Sequence, residues 1–126
     1  MAIVGIGMDM VCIARMERAA QSDHFKQRVF GDEERALFEA RGQCAEVLAA
    51  NFAAKEAFGK ALGTGILHEF SLAEVQALRN EQGAPYFAFR GRAQELMSRR
   101  GWRAHLSLTH EGEYACAFVV LEDKKE

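Results

Sequence analysis

Apolar and polar positions alternate from the second residue of the chain. Ala2, Val4, Ile6, Met8 and Met10 fall on one side of residues 2–11, and Gly5, Gly7 and Asp9 on the other, which is the period of two expected of a strand. The spacing then predicts a helix over 12–21 carrying Arg15, Glu17 and Arg18. Asp32 is read as the N-cap of a short helix that ends near Arg41, with Gly42 as its stop. The longest helical pattern covers 45–62, is filled with alanine and is closed by Gly63. On it Val47, Leu48, Phe52, Phe58 and Leu62 form one bulky arc, Lys55 falls inside that arc, and Glu56 and Lys60 share its shoulder. Residues 71–79 and 85–90 read as strands around an Asn80–Gly83 turn, 91–100 as a helix stopped by Gly101, and 103–110 and 114–122 as a final pair of strands. Strands and helices do not alternate regularly. The pattern therefore predicts an α+β fold, a single compact domain over 1–126 with antiparallel sheet around a long central helix.

Composition narrows the function. The length of 126 residues is that of one domain, and 49% hydrophobic residues suffice for a core. Much of the surface of so small a domain stays open, which makes self-association an expectation. Sixteen basic residues against 18 acidic ones lack the excess of a general nucleic-acid binder. Cys12, Cys44 and Cys116 have no metal-type spacing and read as reduced thiols. With Ile3, Val4 and Ile6 following no basic leader, and no apolar run of the ~20 residues a membrane span needs, a cytoplasmic location is expected.

Three groups of residues could carry chemistry. Asp9 lies on a strand face whose neighbours are glycines, open to a ligand or to another backbone, or it merely ends a strand and caps the next helix. Glu56 and Lys60 are either a solvated pair or part of a covered site, and Lys55 in the bulky arc calls for a partner or an anion. Gly63, Thr64 and Gly65 either present N–H groups to a phosphate or simply stop the helix. His105, Ser107 and Thr109 share one strand face, which either lines a phosphate site or is the wet side of a half-buried sheet.

Taken together these segments resemble one family. Gly-Ile-Gly-Met-Asp-Met-Val-Cys-Ile-Ala-Arg-Met at 5–16, Phe-Ala-Ala-Lys-Glu-Ala-Phe-Gly-Lys-Ala-Leu-Gly-Thr-Gly at 52–65 and His-Leu-Ser-Leu-Thr-His-Glu at 105–111 are similar to the motifs of holo-acyl-carrier-protein synthases, in the same order. The resemblance implies transfer of 4′-phosphopantetheine from coenzyme A to a serine of an acyl carrier protein, in support of fatty acid biosynthesis. It implies Mg²⁺ (or Mn²⁺) on Asp9 and Glu56, and Lys60 on the phosphates. Gly63, Thr64 and Gly65 would shape the nucleotide pocket, which His105, Ser107 and Thr109 would line across a subunit boundary of a homotrimer. Arg15 would face the carrier protein, and Glu56, directly or through a water, would take the serine proton. The chain departs from the family at Asn51, where an Arg is usual, and at Leu67, where a Gly is usual. The first departure is expected to remove a phosphate or ribose contact and the second to alter the turn. Two other readings share some of these residues. One is a metal-dependent nuclease or phosphodiesterase, which the helical Glu56–Lys60 spacing and the charge balance disfavour. The other is a binding module with a lost site, against which Asp9, Glu56 and Lys60 all count.

Overall fold

The structure, a computed structural model, describes residues 2–63 and 69–124. In chain order the elements are β1 (Ile3–Cys12), α1 (Ile13–Ala19), α2 (Asp23–Val29), α3 (Asp32–Ala40), α4 (Ala45–Leu62), a 3₁₀ turn (Leu72–Glu74), β2 (Val75–Arg79), β3 (Pro85–Phe89), α5 (Gly91–Arg100), β4 (Trp102–Glu111) and β5 (Tyr114–Asp123). The strands form two antiparallel sheets, one of order β1-β5-β4 and a hairpin of β2 and β3. The α+β class and the central helix thus stand, with the sheet divided in two.

α4 is the axis of the molecule. Ala49, Ala53, Ala54 and Ala57 are completely buried along it, and their small side chains let the elements around it come close. The approach to β1 is closest. A Cβ on Gly5 would lie 2.0 Å from the Ala61 carbonyl oxygen, and one on Gly7 would lie 2.0 Å from that of Ala57. The room left by these glycines is filled by the backbone of α4, and it is not left open to a ligand. Phe58 packs with Phe70, Phe87 and Phe89 on one side of the helix. Phe30 and Phe38 meet edge to face at 4.8 Å in a second core that includes Met16 and Leu48.

Three local expectations change. Asp32 is the first residue of α3, and its N-cap is Gly31. The capping acceptor comes from another element, because Gln76 Oε1 on β2 accepts from the N–H groups of Glu33 and Glu34. The strand expected over 71–79 begins at Val75, since the Glu74 carboxylate accepts from the Ser71 N–H and closes a 3₁₀ turn ahead of it. α2 had no counterpart in the sequence reading. Ser22 caps it by accepting from the Phe25 N–H, but seven residues are too few for a helical period to stand out. No helix among the described residues is long and apolar enough to cross a membrane.

Candidate active site

Where β1 crosses α4, Asp9 points toward the helix. Its Oδ1 accepts from Lys60 Nζ at 3.0 Å, and the same ammonium donates to the Met8 carbonyl at 3.1 Å. The Asp9 side chain is 18% exposed and that of Lys60 59%, so the carboxylate is largely covered while the ammonium stays open to solvent. Glu56 is half-buried one helical turn before Lys60. Its carboxyl is raised above the ordinary range, first by burial and then by the neighbouring negative charge of Asp9, with Lys60 opposing. Two carboxylates from separate elements therefore face each other with one ammonium beside them. Like charges held together in this way favour a cation between them. Two carboxylates with room for waters and phosphate oxygens suit Mg²⁺ or Mn²⁺. No group of three or more His, Cys, Asp or Glu side chains forms a metal cage among the described residues.

Gly63 caps α4 with φ +84°, and its N–H donates to the Lys60 carbonyl. It is thus the helix stop. Thr64, Gly65 and Leu67 lie outside the described residues.

His105, Ser107 and Thr109 do not join this cluster within one chain. Strand register aligns them across β5 with β1 in three rows, Ile6–Val120–His105, Met8–Phe118–Ser107 and Met10–Cys116–Thr109. Residues in such rows share a face. That face looks away from α4, so these three side chains lie on the side of the sheet opposite Asp9. It is also strongly apolar, with Ile6, Met8 and Met10 each more than 60% exposed. Within it, His105 Nε2 meets Glu122 Oε1 at 3.0 Å, and this hydrogen bond is the first cause holding the Glu122 carboxyl below its ordinary range. Glu122 escaped the sequence reading because it is not on the same strand as His105.

Lys55 finds its partner inside the protein. Its buried ammonium meets the buried Glu34 carboxylate at 2.5 Å and also donates to the carbonyls of Leu72 and Val75. Glu34 accepts further from the N–H groups of Gly31 and Ala77 and from Asn51 Nδ2. Burial pushes the Glu34 carboxyl up and the Lys55 ammonium down, and each partner opposes the other's shift. Asn51, the departure noted above, belongs to this network. It is fully buried, donates to the Ala77 carbonyl and accepts from Arg79 Nη2 at 2.9 Å. The role of Asn51 is therefore internal. Arg15, on α1, is exposed.

Asp9, Glu56, Lys60, His105, Ser107 and Thr109 all fall within residues 5–119, which match a family model described as the 4′-phosphopantetheinyl transferase superfamily. The chain belongs to that superfamily. Among relatives, it is 43% identical over 127 residues to holo-[acyl-carrier-protein] synthase of Myxococcus xanthus, covering 98% of both chains. Among solved structures it is similar to holo-[acyl-carrier-protein] synthase from Neisseria meningitidis, with a TM-score of 0.89 and 34% identity over 97% of this chain and 100% of the other. A holo-(acyl-carrier-protein) synthase from Bacillus anthracis, solved in complex with CoA (3′,5′-ADP), gives a TM-score of 0.79 and 35% identity over 97% and 98% of the two chains. The superfamily fold thus accounts for both sheets and the central helix.

Proposed function

We propose that this chain transfers 4′-phosphopantetheine from coenzyme A to a serine of an acyl carrier protein, releasing adenosine 3′,5′-bisphosphate and supplying fatty acid biosynthesis with holo carrier. The observation that carries this reading is the convergence of Asp9, Glu56 and Lys60 at the β1–α4 crossing in a chain of this superfamily. Mg²⁺ (or Mn²⁺) held by Asp9 and Glu56 would neutralise charge on the pyrophosphate. The chain's own groups do the rest. The serine oxygen bonds to the phosphorus that bears pantetheine, and the bridging P–O bond to the nucleotide breaks. Glu56, or a metal-bound water that it orients, would accept the proton of that serine. Lys60 brings a positive point charge to the phosphate that departs. Arg15, exposed and without an ion pair among the described residues, faces an acidic carrier.

The working assembly in this proposal is a homotrimer. Two observations support it. A sheet face with this much exposed Ile, Met and Phe is not left open on a monomer without reason. If His105, Ser107 and Thr109 line the nucleotide pocket, they do so from the sheet face opposite Asp9, and a second copy would bring the two sets together.

Intact mass spectrometry of an apo acyl carrier protein, incubated with this chain, coenzyme A and Mg²⁺, tests the reaction. The expected result is a gain of one phosphopantetheine that is absent with Asp9→Ala. No gain with a folded enzyme and a competent carrier would leave a binding module of the same fold.

A further inference from the structure

β1 and β4 are the two edges of the three-stranded sheet, so the β4 edge lies away from the β1–α4 crossing. Among the described residues no strand pairs with it, and none pairs with the outer edge of β3. A groove of about 550 Å³ runs between these two edges and α5, with Phe87, Gln94, Ser98, Trp102 and Ala104 on its walls. The ladders fix which backbone groups look into it. The Lys124 N–H donates to the Gly101 carbonyl, so Gly101 and, two residues on, Arg103 spend their backbone groups on β5. Trp102 and Ala104 therefore turn N–H and C=O outward. On β3 the Arg90 N–H donates to the Glu74 carbonyl, and the same alternation turns the N–H and C=O of Phe87 outward. Gln94 and Ser98, one turn apart on α5, have exposed side chains that bond to no other described residue.

Charge decides what kind of strand fits. Arg103 and Lys124 line the groove and form no ion pair among the described residues. Glu122, opposite Arg103 on β5, meets His105 Nε2 at 3.0 Å and attracts Arg103 only through space. Arg90 holds Glu33, the acid on the walls of the groove, at 2.6 Å, and Arg100 lies over the Trp102 ring at 4.8 Å. Cations along an open edge repel a second edge of the same charge and leave it open to one of the opposite charge. We propose that the β4 edge takes up an extended, acidic segment of another protein as a further strand, paired with the outward groups of Trp102 and Ala104. Side chains of the added strand alternate in direction. Carboxylates on one side meet Arg103 as a cross-strand pair, and polar side chains on the other reach Gln94 and Ser98. Such a segment leaves Asp9, at the far edge of the sheet, uncovered.

Fluorescence anisotropy of a dye-labelled peptide alternating threonine and glutamate tests this without coenzyme A or a carrier, and Trp102, the single tryptophan, reports where the peptide sits. Saturable binding with a change in Trp102 emission is expected. A peptide with lysine in place of glutamate should bind about 10-fold more weakly or worse. With glutamate opposite Arg103, the threonine N–H groups are the ones that face Trp102 and Ala104. Methylating those nitrogens keeps the charge, removes the edge hydrogen bonds and should cost about 10-fold. Arg103→Glu should cost about as much, since an attraction becomes a repulsion. Ala104→Pro removes an outward N–H that β5 does not use and should weaken binding in the same direction; if that variant fails to fold, the methylated peptide carries the same test. No rise in anisotropy, or equal binding of the lysine peptide, would overturn the proposal. Full retention of binding by the methylated peptide would reduce it to attraction by charge and overturn strand addition. Binding that leaves Trp102 emission unchanged and ignores Arg103→Glu would place the peptide elsewhere and overturn it too.

Discussion

Glu56 stands where three influences meet, and each can be removed in turn. In the metal-free protein its carboxyl titrates above the ordinary glutamate value because burial and Asp9 outweigh Lys60. Asp9→Asn should bring it down while leaving it above the ordinary value, because burial, the larger cause, remains. Lys60→Ala should push it further up. Carbon-detected NMR titration of the glutamate carboxyls reads both shifts, and a Glu56 indifferent to both changes would show that the three side chains do not interact. The sign for stability follows from linkage. A carboxyl whose folded value is raised holds its proton more tightly in the folded state, so the metal-free fold loses stability as pH rises from the unfolded value, about 4.5, through the raised one. Protons and cations compete for the same oxygens, so metal affinity should fall as pH drops through that window. At this scale the sequence could nominate residues but could not say what they touch. Lys55 was conspicuous as a charge in an apolar arc, yet its partner Glu34 lies 21 residues away on another helix. Asn51 looked like a lost ligand contact because spacing cannot show that a side chain faces inward.

Elements were more legible than contacts. The long strand and helix patterns came within a residue or two of β1, α4, α5, β4 and β5, since each is long enough for its period to repeat. Short pieces failed for lack of repeats, and the cap of α3 failed because its acceptor is Gln76, 42 residues beyond Glu34. The glycines of β1 were ambiguous between ligand and backbone, and the close packing of α4 decides for backbone. Gly7→Ala tests that contact. Its Cβ would drive against the Ala57 carbonyl, and the strand and helix would have to part. We expect a loss of about 3 kcal/mol in urea denaturation, in the upper range for overpacking. Because β1 carries Asp9 and α4 carries Glu56, metal affinity should fall further than stability alone explains. An alanine variant of unchanged stability would mean that β1 and α4 are not in backbone contact.

Assembly is the scale at which a single chain says least, yet the sheet register speaks to it. If each site takes Asp9 from one copy and His105 from the next, neither Asp9→Ala nor His105→Ala alone leaves an intact site. Co-refolded in equal amounts, the two variants should regain activity, because one-half of the Asp9 positions and one-half of the His105 positions are intact. Random closure of a ring then gives about a quarter of the unaltered rate. Mixtures no more active than the separate variants would place each site within one chain. The face that carries His105 has a consequence in time as well. In the proposed assembly, a newly folded chain displays Ile6, Met8, Met10 and Phe118 to water until a neighbour covers them, and in that interval it would be both inactive and adhesive. Recovery from denaturant should therefore be biphasic. Trp102, packed against the core of its own chain, reports a first step that ignores concentration, whereas catalysis returns in a later step that quickens as chains become more numerous. Crowded synthesis, by the same token, shortens the exposure for chains that meet their own kind and lengthens the odds against those that meet anything else.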